Sequence, residues 1–111
     1  KYPPGLRCPG SFFKNIKLSD LRPAAKRHSF IKKIPPGRVT YGKVATGYLL
    51  DSVRAKGRRV GQIFVAKHHG NLIYNPGGGT AREVKTLAAA LKKLVKNKFG
   101  VRIEEEVQYL N

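Results

Sequence analysis

The stretch TAREVKTLAAALKKLVKNKFGVRIEEEVQY, Thr80 to Tyr109, decides the fold. Val84, Leu87, Ala88, Leu91, Leu94 and Val95 recur at separations of three and four, which gathers them on one face of a helix. Thr80 followed by Glu83 is the signature of a capping box, so the helix starts there. Gly100 is the stop signal, and Lys96 and Lys98 in the last turn suit the negative end of the helix dipole. A helix from Ala81 to Phe99 would run ~28 Å at ~1.5 Å per residue. Its large aliphatic side chains would contribute roughly 1.5–3 kcal/mol each on burial. After Gly100 the period changes to two. Val101, Ile103, Val107 and Tyr109 alternate with Arg102, Glu104, Glu106 and Gln108, the pattern of a strand with one buried face. Glu105 is the polar exception on the apolar side.

The chain has 111 residues, which predicts one domain with one core. Hydrophobic residues make up 41%, which excludes a disordered basic tail. Lys and Arg number 23 against 6 Asp and Glu, for a net charge of +17. Such a balance predicts an anionic partner or an acidic companion domain, with nucleic acid as the default candidate. Half of the acids stand together as Glu104-Glu105-Glu106, so a local reason for them is expected. Three adjacent carboxylates resist joint ionisation, which favours a proton held within the cluster. Cys8 is the sole cysteine, so no internal disulfide can form and a reducing cytoplasm is the simpler setting. No apolar run is long enough to span a membrane, and no signal peptide is visible. The chain begins at Lys1 without Met, as a domain of a longer protein would.

In chain order, Lys1 to Pro9 is Pro- and Gly-rich and reads as an extended entry and a turn. Ser11 to Asn15 reads as a short strand in which Phe12 and Phe13 serve the core, a stacking platform beside Lys14 being the functional alternative. Ile16 to Arg38 reads as a basic connection with one short strand at Ser29–Ile31. Gly42 to Gly57 contains a helix, with Tyr48, Leu49 and Val53 on one face. Lys56, just before Gly57, suits a helix C-terminus or offers a point charge to an anionic ligand. Gln62 to Ala66 and Leu72 to Tyr74 read as strands. Between them lie His68 and His69, which point opposite ways on extended backbone and lack a third ligand, so no metal site is expected. One of them can donate to a ligand. Asn75 to Thr80 looks like a phosphate loop but lacks the Gly-Lys-Ser/Thr ending, so it reads as a turn into the capped helix.

The order of phrases adds to this. Pro9-Gly10-Ser11-Phe12-Phe13-Lys14-Asn15, Gly47 to Asp51 with Ala55-Lys56-Gly57, Val65 through His69 to Asn75, and Phe99 to Val107 resemble, in sequence order, four phrases of the UDP-N-acetylenolpyruvylglucosamine reductases (UDP-N-acetylmuramate dehydrogenases). The resemblance covers that family's C-terminal, substrate-binding domain and implies a flavin-binding part upstream of residues 1–111. It implies reduction of UDP-N-acetylglucosamine enolpyruvate to UDP-N-acetylmuramate in peptidoglycan precursor synthesis, with FAD and NADP(H) bound largely by that upstream part and no metal. Reduced flavin would deliver hydride to the terminal enol carbon, and the enolic intermediate would be stabilised and then protonated.

By the same resemblance Ser11 is the proton donor and Glu106 the catalytic carboxylate, with Glu104 as its fallback. Asn15, Lys56 and His69 fall on positions that contact the UDP-sugar and its diphosphate. The sequence departs from the family where Ile16 and Glu105 replace prolines and Gln108 replaces an arginine. Together these readings predict a single compact α+β domain, its mixed sheet packed against the long C-terminal helix and a shorter one. Its expected partners are the UDP-sugar and the flavin-binding domain of the same polypeptide, with no membrane. The rival reading is a non-enzymatic, basic nucleic-acid-binding α+β module, and a free-standing UDP-sugar-binding relic is a third.

Overall fold

Thr80 and Glu83 exchange both hydrogen bonds of a capping box: Glu83 N–H donates to Thr80 Oγ1 and Thr80 N–H to Glu83 Oε1, each at 3.1 Å. The helix they start, in a computed structural model that describes residues 12–106, spans Ala81–Phe99. It ends at Gly100, whose φ of 75° is the left-handed conformation that glycine adopts without steric cost, with its N–H on Lys96 O at 2.8 Å. Val84, Leu87, Ala88, Leu91, Val95 and Phe99 are buried and Leu94 is half-buried, so the predicted stripe is the core face. The helix packs on β4 (Arg59–Val60), β5 (Ile63–Val65) and α2 (Thr46–Ser52).

The class is α+β, as predicted, but the single mixed sheet is not what forms. The described residues build two three-stranded antiparallel sheets. In the first, β1 (Ile16–Lys17) and β2 (Val39–Thr40) flank β3 (Lys43–Val44), with Ile16 and Val39 both opposite Val44. In the second, β4, β5 and β6 (Ile73–Tyr74) follow in order, with Val60 opposite Ile63 and Val65 opposite Ile73. The connections explain this: Tyr41-Gly42 and Gly61-Gln62 are tight turns, which join antiparallel neighbours, whereas parallel pairing needs a long crossover.

A second correction concerns the basic connection. Ser29–Ile31 lies inside a helix, α1 (Ala24–Lys32), rather than a strand, so the described residues hold three α-helices, not two; the long one is α3. Phe30 is the buried residue of α1 and meets the Phe99 ring edge-on at 6.3 Å. A helix anchored by one aromatic has no hydrophobic stripe to read, although Ala24, Ala25, Lys26 and Arg27 are good helix formers.

Phe12 and Phe13 belong to the core, each 1% exposed, with their rings edge-on at 4.9 Å. Their segment lies antiparallel to the segment after α3, with Phe13 bridging Glu105. Two further hydrogen bonds join the pair, Lys14 N–H to Glu104 O and Glu106 N–H to Phe12 O, both at 2.8 Å. Val101 and Ile103 are buried while Arg102, Glu104 and Glu106 are exposed, which is the predicted alternation. Among the described residues, however, the strands expected at Ser11–Asn15 and after Gly100 make one isolated bridge rather than a ladder. The Pro- and Gly-rich entry with Cys8, and Val107, Gln108 and Tyr109, lie outside the described residues.

Candidate functional site

Two open polar clefts meet at Asn15. The first, of about 590 Å³, is lined by Asn15, Arg38, Ala45, Gly47, Tyr48, Asp51, Ser52 and His69. The second, of about 610 Å³, is lined by Lys14, Asn15, Ile16, Lys17, Asp20, Leu21, Lys26, Lys43, Arg102, Glu104 and Glu106. Asn15 stands in the wall of both.

Asn15 is exposed at the end of the Phe12–Lys14 segment, and its Oδ1 accepts the Thr46 N–H at 3.2 Å. Thr46 is fully buried, and its hydroxyl donates to Lys14 O. The start of α2 is thereby tied to the segment on both sides of the Lys14–Asn15 peptide. The Asn15 NH2 has no partner among the described residues and is a free donor at the junction.

His69 follows β5 in an exposed turn. Its Nδ1 accepts the Asn71 N–H at 3.1 Å, which leaves the proton of the neutral ring on Nε2. The ring lies over Gly47: a Cβ there would stand 3.1 Å from His69 Cε1, closer than a methyl group fits without movement. Glycine at this position is what lets the imidazole rest on the start of α2. His68, the other member of the pair, is also exposed but lines neither cleft.

Lys56 reaches this region indirectly. Its Nζ is 3.7 Å from Asp51 Oδ2, and Asp51 Oδ1 accepts the Gly70 N–H at 3.0 Å. One carboxylate thus joins the lysine to the turn that carries His69, while Lys56 itself lines neither cleft. Across the same cleft the Arg38 guanidinium stacks on the Tyr48 ring at 4.6 Å. That pair presents a charged and an aromatic face side by side.

The glutamate triplet does not act as one cluster. Alternation along the extended backbone turns Glu105 away from its neighbours to an ion pair with Lys92 of α3, while Glu104 and Glu106 both line the second cleft. The three-carboxylate repulsion expected from adjacency is therefore reduced to a pair two residues apart. That pair faces Lys14, Lys17, Lys26, Lys43 and Arg102 as well as Asp20. Glu105 in place of proline keeps the Phe13 bridge and gains a cationic partner.

Of the predicted site residues, Asn15 and His69 share one cleft, Asn15, Glu104 and Glu106 share the other, Lys56 sits beside the first, and Ser11 lies outside the described residues. The sequence reading missed Asp51 and Asn71. Both act through pairings distant in sequence; the turn dipeptide Gly70-Asn71 was the one local sign that an amide stood at a structured corner. Among the described residues no group of three His, Cys, Asp or Glu is placed to hold a metal ion, and no helix is long and apolar enough to cross a membrane. The Gly77–Gly79 turn is no phosphate cradle either: the N–H groups of Gly77 and Gly79 both donate to Asn75 Oδ1 at 2.9 Å. The described residues therefore offer no holder for a flavin or a nicotinamide dinucleotide at that loop.

The fold and clefts define an α+β domain with two adjoining clefts, one lined by an imidazole and the other by two carboxylates. Residues 3–110 match the family described as UDP-N-acetylenolpyruvoylglucosamine reductase, C-terminal domain, and the chain belongs to that family. It is 46% identical over 110 residues to the UDP-N-acetylenolpyruvoylglucosamine reductase of Solibacter usitatus, covering 99% of this chain and 34% of that protein. The Bordetella pertussis reductase is 37% identical over 103 residues, covering 87% of this chain and 28% of its own. UDP-N-acetylenolpyruvoylglucosamine reductase 2 of Symbiobacterium thermophilum is 41% identical over 76 residues, 68% of this chain and 23% of its own. The chain spans about a third or less of the length of these curated relatives. Nothing in these matches supports the nucleic-acid alternative.

Proposed function

We propose that residues 1–111 are the C-terminal, substrate-binding domain of a cytoplasmic flavoenzyme that reduces UDP-N-acetylglucosamine enolpyruvate to UDP-N-acetylmuramate with NADPH, for peptidoglycan in the cell wall. The observation that carries this reading is the position of Asn15 in the wall common to both clefts. A sugar nucleotide is long and bifunctional: an anionic diphosphate at one end of the contact, an enolpyruvyl ether at the other. Two adjoining clefts with a shared amide donor suit such a ligand.

Each residue then has a task that its chemistry allows. His69 Nε2–H and the Asn15 NH2 donate to phosphate or sugar oxygens, and Lys56 adds a point charge at the edge. On the other side, the reaction builds negative charge next to the substrate carboxylate and ends with a proton delivered to carbon. Glu106 serves this step only when it carries a proton or acts through a cation. Lys14 and Arg102 line the same cleft and give it cations to work through. Ser11 is the proton donor in this reading. Its hydroxyl is a weak acid, so it depends on placement, and its chain neighbour Phe12 is hydrogen-bonded on both sides. FAD and NADP(H) belong to the rest of the enzyme.

A chemical-shift titration of this domain with the enolpyruvyl UDP-sugar tests the reading, with a short RNA at two salt concentrations as control. Shifts gathered at Ser11, Asn15, Lys56, His69 and Glu106 are expected. Signals unmoved by the sugar nucleotide, with RNA binding that maps to the Lys and Arg surface and weakens steeply with salt, would overturn it.

A further inference from the structure

Asn71 is buried, two residues after His69, and its polar groups are committed to the segments that carry the site. Its N–H donates to His69 Nδ1 at 3.1 Å. Its carbonyl accepts the Phe12 N–H at 2.8 Å. Its side chain brackets Phe13: Oδ1 accepts the Phe13 N–H at 2.8 Å and Nδ2 donates to the Phe13 carbonyl at 3.1 Å. Phe12 O in turn accepts the Glu106 N–H at 2.8 Å. Hydrogen bonds thus run without a gap from the imidazole, through Asn71 and Phe12, to the backbone of Glu106.

We propose that Asn71 is a positioning residue that holds the His69 imidazole and the Glu106 segment in one frame, so that the ligand is bound and protonated in register. The inference rests on the functional reading above. The residue type is dictated by the task. A primary amide offers one planar acceptor and one donor, which match the N–H and C=O of a single residue as a neighbouring strand would. Here that residue is Phe13, and no other described segment pairs with its two backbone groups on that side. Aspartate keeps the acceptor but sets a carboxylate against the Phe13 carbonyl. Alanine strands both groups in the core. The Asn71 backbone does a second job, since its N–H selects the His69 tautomer that donates from Nε2.

The test has two arms. In the wild-type domain, through-hydrogen-bond NMR couplings from Phe12 N–H to the Asn71 carbonyl carbon and from Phe13 N–H to Asn71 Cγ are expected, with His69 protonated on Nε2 in the ring 15N spectrum. Their absence overturns the proposal without any variant. In the intact flavoenzyme carrying this domain, Asn71→Asp and Asn71→Ala are expected to slow flavin reoxidation by the enolpyruvyl UDP-sugar by about tenfold or more, the scale of a misplaced reacting group. Flavin reduction by NADPH stays unchanged, KM for the sugar nucleotide moves less than kcat, and the solvent isotope effect on reoxidation rises. Simple loss of fold lowers the amount of active enzyme and leaves that isotope effect where it was. A folded Asn71→Asp enzyme with wild-type reoxidation and isotope effect overturns the proposal. A wild-type enzyme whose reduced flavin ignores the sugar nucleotide overturns the functional reading beneath it.

Discussion

Asn15 accepts the Thr46 N–H through Oδ1 at 3.2 Å, and that bond decides which half of its amide faces the clefts. The oxygen is spent on a buried residue of α2, so the NH2 is the donor left at the junction of the two clefts. In the proposed function, the structural and the recognition roles of one side chain are divided between its two polar atoms.

Asn15→Asp separates those roles. The carboxylate still accepts from Thr46 N–H, so the melting temperature should hold within a few degrees, the scale of surface substitutions of ~0.5 kcal/mol. The donor is lost and a negative charge faces an anionic ligand, so affinity for the enolpyruvyl UDP-sugar should fall about tenfold or more, ~1.4 kcal/mol. Calorimetric titration of the intact enzyme and a thermal melt read the two effects. Equal affinity for both proteins would remove Asn15 from the ligand contact.

Glu104 and Glu106 line the same cleft, and geometry alone does not choose between them. The family phrase chooses Glu106. Glu106→Gln in the intact enzyme should lower kcat by ~10²-fold or more, in the range of a lost acid-base group. Glu104→Gln should stay within a few-fold by the same criterion. Both carboxylates are exposed, so neither change should move the unfolding midpoint appreciably. The reverse order of the two kcat effects would transfer the catalytic role to Glu104.

How much of this was legible in the sequence depends on the range of the interactions involved. The bounds of α3 were readable to the residue because its cap, its stripe and its glycine stop are all local. Of the two sheets only β5 and β6 were legible, within Gln62–Ala66 and Leu72–Tyr74; the remaining two-residue strands carry no period to read. The helix at Ala24–Lys32 was hidden because Phe30 finds its partner, Phe99, at the far end of the chain. The same holds at the site. Asn15, His69 and Glu106 were singled out through phrases resembling a family, and they line the two clefts, whereas Asn71 reaches back 58 residues to Phe13, a pairing no local pattern announces.

The cap of α3 gives a stability prediction. Thr80→Ala removes the acceptor for Glu83 N–H and should cost ~1 kcal/mol, a fall of roughly 4–8 °C in melting temperature for a domain this size. Thr80→Ser keeps the hydroxyl and should restore most of it. A serine variant as unstable as the alanine one would assign the effect to the threonine methyl group instead.

The last prediction links packing to the ligand. Phe30 is 1% exposed and fastens α1 to the core through Phe99, whereas Ile31, its neighbour, is 37% exposed. Phe30→Ala should cost ~3–5 kcal/mol, and Ile31→Ala much less, because only the first leaves a cavity. The consequence extends to the second cleft, since Lys26 on α1 lines it together with Glu104 and Glu106. Loosening α1 withdraws one cation from that wall. Amide exchange over Ala24–Lys32 should therefore accelerate in Phe30→Ala more than exchange in α3, and affinity for the anionic ligand should fall with it. If α1 and α3 exchange faster to the same degree, the helix is part of one cooperative unit, and Lys26 is held by the whole core rather than by a single aromatic pin.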